Sequence, residues 1–181
     1  MGKMKILLAT LLMLGLSACE RHEDGTYFKY KCTAELNGET YIDQRRVETI
    51  LSPTGQITPR ICPDETDGFL YFVSHLCTEA GMTTFTYMVE IYFPAGPLDE
   101  LVGREYDLGI RDSGTDIDEY PEYCKENSIP YATVTKGIMG ETADKGSFQI
   151  TSRDEDTVNG NFTLHFSEGT MTGRFYCTIK E

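Results

Sequence analysis

The sequence predicts an all-β domain, a single antiparallel β-sandwich or partly closed barrel of roughly eight to ten strands with at most one short helix. Three observations predict this class. Apolar and polar residues alternate with a period of two in several segments, three Gly-x-Phe units recur near the C-terminus, and helical spacing of apolar residues is scarcely sustained after residue 18.

The alternation is clearest in two segments. Residues 28–36 place apolar side chains on one face and end at Asn37-Gly38, a dipeptide typical of two-residue hairpin turns. Residues 85–93 repeat the pattern and end at Pro94, which cannot donate a hydrogen bond within a sheet. Residues 70–76 are a shorter candidate strand, and residues 119–127 are the best place for one short helix.

The C-terminal third contains a near-repeat. Gly146, Gly160 and Gly173 each stand two residues before a phenylalanine, at spacings of 14 and 13 residues. Polar loops separate the units, and solenoid repeats are longer, running to about 20 residues or more. The pattern therefore predicts three antiparallel strands in a meander.

The N-terminus is predicted to be a secretion signal covering residues 1–18. Lys3 and Lys5 precede an apolar run over residues 6–16, which is followed by the small residues Ser17 and Ala18. At ~1.5 Å per residue this run extends roughly 16 Å, about half of a ~30 Å hydrocarbon core. The run is therefore too short to span a membrane unaided.

Residues 16–19, Leu-Ser-Ala-Cys, resemble the lipobox of bacterial lipoproteins. The resemblance implies cleavage before Cys19 and lipid on its sulfur, with two or more acyl chains holding the protein on a bilayer. Residues 19–26 then form a polar, acidic tether and residues 27–181 the domain. An acidic cluster after the lipidated cysteine is similar to the surface-export signal of Bacteroidota lipoproteins, so the expected location is the cell envelope, anchored in the outer membrane and displayed on the surface. A merely solvated tether explains the same residues.

Composition narrows the partners. The chain of 181 residues has a formal net charge of −13, so nucleic acid would be repelled and is not expected as a partner. The same acidity argues against a polybasic grip on anionic lipid. The expected contact with the membrane is therefore the lipid on Cys19, and no motif indicates a cofactor.

The domain also resembles a known family. Residues 30–41 with Asn37-Gly38, the segment Gly103-Arg104-Glu105-Tyr106-Asp107-Leu108, and the terminal Gly-x-Phe strands are similar to a family of uncharacterised Bacteroidota lipoproteins. The resemblance covers most of residues 27–181. It implies an envelope address and a β fold, and it assigns no activity and no site residue.

Five cysteines follow Cys19: Cys32, Cys62, Cys77, Cys124 and Cys177. In an oxidising compartment they can form two disulfides with one thiol left over, or remain reduced as small buried hydrophobes. Cys32 and Cys177 both fall on the apolar faces of the first and last strands, so we predict that they lie close together and form a disulfide. Cys62 with Cys77 is the second predicted pair, leaving Cys124.

The sequence contains no recognisable catalytic motif of a hydrolase. There is no G-x-S-x-G elbow and no H-E-x-x-H helix. His75 and His165 lie in predicted strands, where a structural histidine is the commoner case. A hydrolase is the alternative function, and the missing motifs and the strand positions of both histidines disfavour it.

Two further motifs suggest a calcium site and a glycosylation site. Asp112, Asp116, Asp118 and Glu119 could supply several of the six to eight oxygens that calcium takes, but their spacing misses the EF-hand loop and a solvated acidic run explains them equally. Residues 156–158, Asp-Thr-Val, resemble the O-glycosylation motif of exported Bacteroidota proteins, with Thr157 as the acceptor. A tight loop rich in Asp and Thr is the alternative.

The remaining candidates are binding functions. Tyr106, Tyr120, Tyr123 and Tyr131 bracket an acidic segment that contains Pro121, and exposed tyrosines offer apolar faces with a hydrogen-bonding tip for sugars or peptides. Core packing explains these tyrosines as well. The sequence thus predicts a non-catalytic binding or accessory lipoprotein, with a surface glycan-binding protein and a structural or adhesin-type component as alternatives.

Overall fold

A computed structural model of the chain describes residues 28–46, 58–64, 68–78, 85–109 and 120–179. It confirms the predicted all-β class, with one antiparallel-dominated sheet curled into a half-barrel. The described residues form eleven strands and two short helices. The strands are β1 (Phe28–Leu36), β2 (Glu39–Arg46), β3 (Arg60–Pro63), β4 (Phe69–Leu76), β5 (Tyr87–Pro94), β6 (Glu105–Leu108), β7 (Tyr131–Lys136), β8 (Met139–Thr142), β9 (Lys145–Asp154), β10 (Thr157–Phe166) and β11 (Gly169–Ile179); the helices are α1 (Leu98–Leu101) and α2 (Tyr120–Glu126).

The sheet follows the order β6-β9-β10-β11-β3-β4-β5-β7-β8, and β1 and β2 branch from β11. Only β11 and β3 pair in parallel, through Thr178 with Arg60 and Ile179 with Ile61. The end of β6 meets the start of β7, where the N–H of Gly109 donates to the carbonyl of Pro130. The half-barrel therefore has one continuous inner face and one continuous outer face.

Several predicted elements are confirmed. β1 ends at Asn37-Gly38, where both residues have positive φ (53° and 82°), as a two-residue hairpin turn requires. The Gly-x-Phe units lie in β9, β10 and β11, which pair consecutively as the predicted meander. The predicted short helix is α2. A second helix, the single turn α1, was not predicted, so the described residues contain two short helices where at most one was expected.

The Gly-x-Phe repeat has a packing origin. Gly160 pairs with Phe175 and Gly173 with Phe162, so each glycine lies beside the phenylalanine of the neighbouring strand. A Cβ at either glycine would overlap that ring. The missing side chains make room for two phenylalanines that are almost fully buried.

The inner face is filled by aromatic rings. Phe72 contacts Phe175 with ring centroids 4.6 Å apart, and Phe148 stacks on Phe175 at 5.4 Å. Phe93 and Phe162 complete the cluster, and each of these rings is at most 4% exposed. A site for a ligand must therefore be sought on the outer face or at the ends of the half-barrel, because at this level the interior is a packed core.

Candidate functional site

The outer face carries a row of three tyrosines, which we call the tyrosine ladder: Tyr71 in β4, Tyr92 in β5 and Tyr131 in β7. The strand register places Tyr71 opposite Tyr92 and Tyr92 opposite Tyr131. The ring centroids of Tyr92 and Tyr131 are 4.6 Å apart with planes at 6°, and those of Tyr71 and Tyr92 are 5.6 Å apart at 20°. The rings thus turn their faces toward one another across the strands.

Helix α2 covers one end of the ladder. Cys124 of α2 is buried against Tyr131, and Tyr123 and Ile129 pack around them. Tyr131 is 2% exposed as a result, whereas Tyr71 and Tyr92 are only partly buried. The accessible part of the ladder is therefore its Tyr71 end.

An ion pair fixes α2 to the neighbouring hairpin. The Nζ atom of Lys125 lies 2.6 Å from Oδ2 of Asp64, the residue that follows β3. The same Nζ atom lies 5.3 Å from the centroid of the Tyr92 ring, within range of a cation–π contact. Lys125 consequently joins the helix, the ladder and the β3–β4 hairpin.

Partly buried carboxylates set the electrostatics of this face. Glu90 lies in β5 two residues from Tyr92 and accepts a hydrogen bond of 3.2 Å from Oγ1 of Thr133. Burial raises the pKa of Glu90, although hydrogen bonds from Thr133 and Tyr92 act in the opposite direction. A carboxylate held in this way is a good acceptor for a hydroxyl or amine, and perturbed carboxylates cluster at functional sites.

The phenol groups of the ladder stay protonated. Burial is the main cause that raises the pKa of Tyr92 and of Tyr131, and the nearby carboxylates of Glu90 and Asp64 raise both further. Burial also raises the pKa of Tyr71, whose hydroxyl oxygen accepts a weak hydrogen bond of 3.4 Å from Arg60. Neutral hydroxyls can both donate and accept, so this face offers mixed hydrogen-bonding groups beside an apolar strip.

The four tyrosines predicted as a ligand surface do not share one surface. Tyr106 is 2% exposed and lies inside the half-barrel, with its ring centroid 5.2 Å from that of Phe93. The prediction was wrong for Tyr106 because alternation in β6 turns Tyr106 and Leu108 inward together. Tyr123 and Tyr131 do meet on the outer face, and Tyr120 begins α2, but its side chain lies outside the described residues.

Sequence reasoning missed Tyr71, Tyr92 and Glu90. A signal was present in β4, where the consecutive residues Leu70, Tyr71, Phe72 and Val73 leave no polar outer face. Tyr71 therefore lies on an outer face that its own strand makes apolar. Helix α2, about 50 residues away in the chain, packs at the Tyr131 end of the same row.

The predicted disulfides are not formed, since none of the five described cysteines takes part in a disulfide bond. β1 and β11 are neighbours, as predicted, but Cys32 pairs with Phe175. Cys177 is then a diagonal neighbour at about 7–8 Å between Cα atoms, longer than the usual disulfide span. Cys62 pairs with Tyr71, and Cys77 follows the end of β4, six residues from Tyr71 and roughly 20 Å away.

Burial makes the two inner cysteines unreactive. Cys32 and Cys177 are both fully buried, and burial is the main cause that raises the pKa of each thiol. A thiol that stays protonated is a poor nucleophile. These residues pack as small hydrophobes.

The other predicted sites have different outcomes. Thr157 is 6% exposed, its hydroxyl donates to the carbonyl of Asp154 at 2.7 Å, and it accepts from Tyr176 at 3.3 Å. The folded domain therefore does not present Thr157 for O-glycosylation. The calcium candidates Asp112, Asp116, Asp118 and Glu119, the lipidation residue Cys19 and the tether lie outside the described residues. Within the described ranges, no group of three or more His, Cys, Asp or Glu side chains could hold a metal ion.

Each of the two described histidines has a threonine hydroxyl near its Nδ1 atom, and for His75 this is Thr58 Oγ1 at 3.5 Å. Ser74 and His75 are adjacent in β4 and so point to opposite faces of the sheet. The Ser74 hydroxyl donates to Asp43, while His75 offers Asp43 its backbone N–H and stacks its ring on Phe85 at 4.8 Å. His165 lies 2.9 Å from the Thr170 hydroxyl, on the outer side. The trio of Ser74, His75 and Asp43 consequently lacks the geometry of a hydrolase triad.

Neither a protein-family model, nor a curated protein, nor a solved structure matches the chain. In the part of the chain that the structure describes, neither helix has the length and apolar character needed to cross a membrane.

Proposed function

We propose that this chain is an exported, lipid-anchored protein of the cell envelope that acts as a non-catalytic binding module. Its ligand surface is the outer face at the Tyr71 end of the tyrosine ladder. The observation that carries the proposal is tyrosine at outward positions of three successive strands. Such positions ordinarily hold solvated polar side chains, and α2 buries only Tyr131 of the three.

The ligand class that suits this face is a hydroxyl-rich molecule such as a glycan. The phenol hydroxyls donate and accept, the Glu90 carboxylate accepts and the Arg60 guanidinium donates, a mixture that suits sugar hydroxyls. Because the ladder rings turn their faces toward one another, hydrogen bonds contribute more to such binding than stacking of a sugar on an open ring. The membrane contact is the lipid on Cys19, and the location is the outer membrane with display at the surface.

Lipid attachment is tested by metabolic labelling. Cells fed an alkyne analogue of palmitate should label the wild-type protein and not the Cys19→Ala variant, because only that thiol is presented by the lipobox-like segment. Cys177→Ala is the matched control and should label like the wild type, since its thiol is buried. Equal labelling of wild type and Cys19→Ala would refute the anchor.

Ligand binding is tested with the full-length protein on a glycan array, followed by titration of the best ligand. Tyr71→Phe and Tyr92→Phe keep the ring and remove the hydroxyl, so each should weaken binding roughly three- to tenfold. Tyr41→Phe is the control, because its hydroxyl donates to Glu39 at the far end of the half-barrel. Loss of binding in Tyr41→Phe but not in the ladder variants would place the site elsewhere.

A further inference from the structure

The turn between β7 and β8 exposes two adjacent apolar side chains. Ile138 is 97% exposed and Met139 is 74% exposed, and no other large hydrophobic side chain in the described ranges is exposed in this way. Single exposed apolar residues are common on protein surfaces, but two at the tip of one hairpin form a small contiguous patch. This patch is not part of the tyrosine ladder or of the core.

The turn itself does not need an isoleucine. Lys136 pairs with Met139, so Gly137 and Ile138 are the two turn residues, and Gly137 supplies the positive φ of 63°. The second position of such a turn is usually polar or glycine. A β-branched apolar residue at this position departs from local turn chemistry, and such departures are expected at functional sites.

The hairpin is fixed from both of its strands to the turn between β10 and β11. In β7, Nζ of Lys136 donates to the two carboxylate oxygens of Glu168 at 2.8 and 3.0 Å. In β8, the Glu141 carboxylate accepts a hydrogen bond of 2.7 Å from Ser167 Oγ. Glu168 also accepts from the Tyr87 hydroxyl. A tip held in this way loses little conformational freedom on binding.

The charges around the tip favour one kind of partner. The carboxylates of Glu39, Glu141 and Glu168 lie at this end, and Lys136 is already paired with Glu168. Asp144 and Lys145, beside His165, add one charge of each sign. This excess of negative charge would repel an anionic lipid surface. It complements a protein pocket rimmed by lysine or arginine.

The position of the tip also favours a protein partner over a lipid surface. Asn37, at the end of β1, donates to the carbonyl of Glu168, so the tip lies at the end of the half-barrel where β1 finishes. The chain enters β1 at Phe28, eight residues earlier, which is about 26 Å at ~3.3 Å per residue. With the lipid anchor of the proposed function, on which this step alone rests, the tip faces away from the membrane.

We propose that Ile138 and Met139 form a docking tip that inserts into an apolar pocket with a basic rim on a protein partner. The tip acts as a preformed anchor, and the surrounding carboxylates select the partner and orient it. Exposed apolar anchors surrounded by charge are the usual energetic centre of small interfaces.

Photo-crosslinking in intact cells tests the proposal. The full chain carries benzoylphenylalanine at position 138 or, as a control, at position 161, where Asn161 is exposed in the middle of β10. We expect a discrete protein adduct from position 138 alone. Sequencing of the crosslinked peptide should place it beside apolar and basic residues, and Met139→Ser should reduce the adduct about tenfold, as for loss of one interface anchor.

Other outcomes overturn the docking tip. Equal adducts from positions 138 and 161, an adduct with an acidic surface, or no protein adduct would each contradict it. Vesicles of phosphatidylcholine with phosphatidylglycerol give the membrane alternative: binding that disappears in Ile138→Ser would replace the protein pocket with a lipid surface. Thermal unfolding of Ile138→Ser should match the wild type, because the turn residue is exposed. None of these results bears on the palmitate or glycan experiments, so the two proposals can fail separately.

Discussion

Replacement of Asp43 by alanine is expected to destabilise the domain by about 3 kcal/mol, since it removes an acceptor from two buried donors. Asp43 is 1% exposed on the inner face, opposite Cys32. Its Oδ2 atom accepts from the Ser74 hydroxyl at 3.0 Å and from the His75 backbone N–H at 2.8 Å. In the alanine variant neither donor can reach water, and a small cavity is added.

Urea unfolding monitored by circular dichroism measures this effect. Asp43→Asn retains an oxygen acceptor of the same shape and should lose less stability than Asp43→Ala. Asp107→Ala is the control, because Asp107 is exposed on β6, and its change should stay within about 0.5 kcal/mol. If Asp43→Ala unfolded at the same urea concentration as Asp107→Ala, the buried polar contact would contribute nothing to the fold.

Gly173→Ala is expected to cost about 2–3 kcal/mol, at the upper end of the usual range for overpacking a core. The added Cβ would overlap the Phe162 ring, which is 1% exposed and has little space to move. Gly160→Ala should behave similarly, because its Cβ would overlap the Phe175 ring. The loss arises from ring displacement, so Gly173→Ala combined with Phe162→Leu should lose less than the two single changes added together.

Gly96→Ala is the control for the glycine series. A Cβ at Gly96 would lie 3.7 Å from Leu101 Cδ2, an ordinary contact, so unfolding should change by less than about 0.5 kcal/mol. A Gly173→Ala variant as stable as Gly96→Ala would mean that the glycine–phenylalanine pairs are not close-packed.

The local sequence patterns predicted those parts of the fold that depend on residues close together in the chain. Alternation over residues 28–36, Asn37-Gly38 and the Gly-x-Phe spacing each encode their own geometry, and the structure confirms them. The way in which the strands join into one curled sheet is not encoded locally in the sequence. β11 pairs with β1 along one part and with β3 near its end, and this branching arises from how the twisted strands curl around the phenylalanine cluster.

The candidate site was predicted only in part for the same reason. Tyr123 and Tyr131 lie near each other in sequence, and their contact with the outer face follows from α2. Tyr71 and Tyr92 come from strands that only the sheet register brings beside Tyr131. Tyr106 looked equivalent in sequence, yet one residue of strand phase decides whether a tyrosine faces the core or the outside.

Tyrosine-ring NMR with the best ligand from the glycan array tests the central claim most directly. With isotope-labelled tyrosine in the full-length protein, added glycan should shift the ring signals of Tyr71 and Tyr92 in proportion to occupancy. The ring of Tyr106, inside the half-barrel, should not shift. Shifts at Tyr106 with none at Tyr71 and Tyr92 would contradict an outer-face site and place the ligand in the interior.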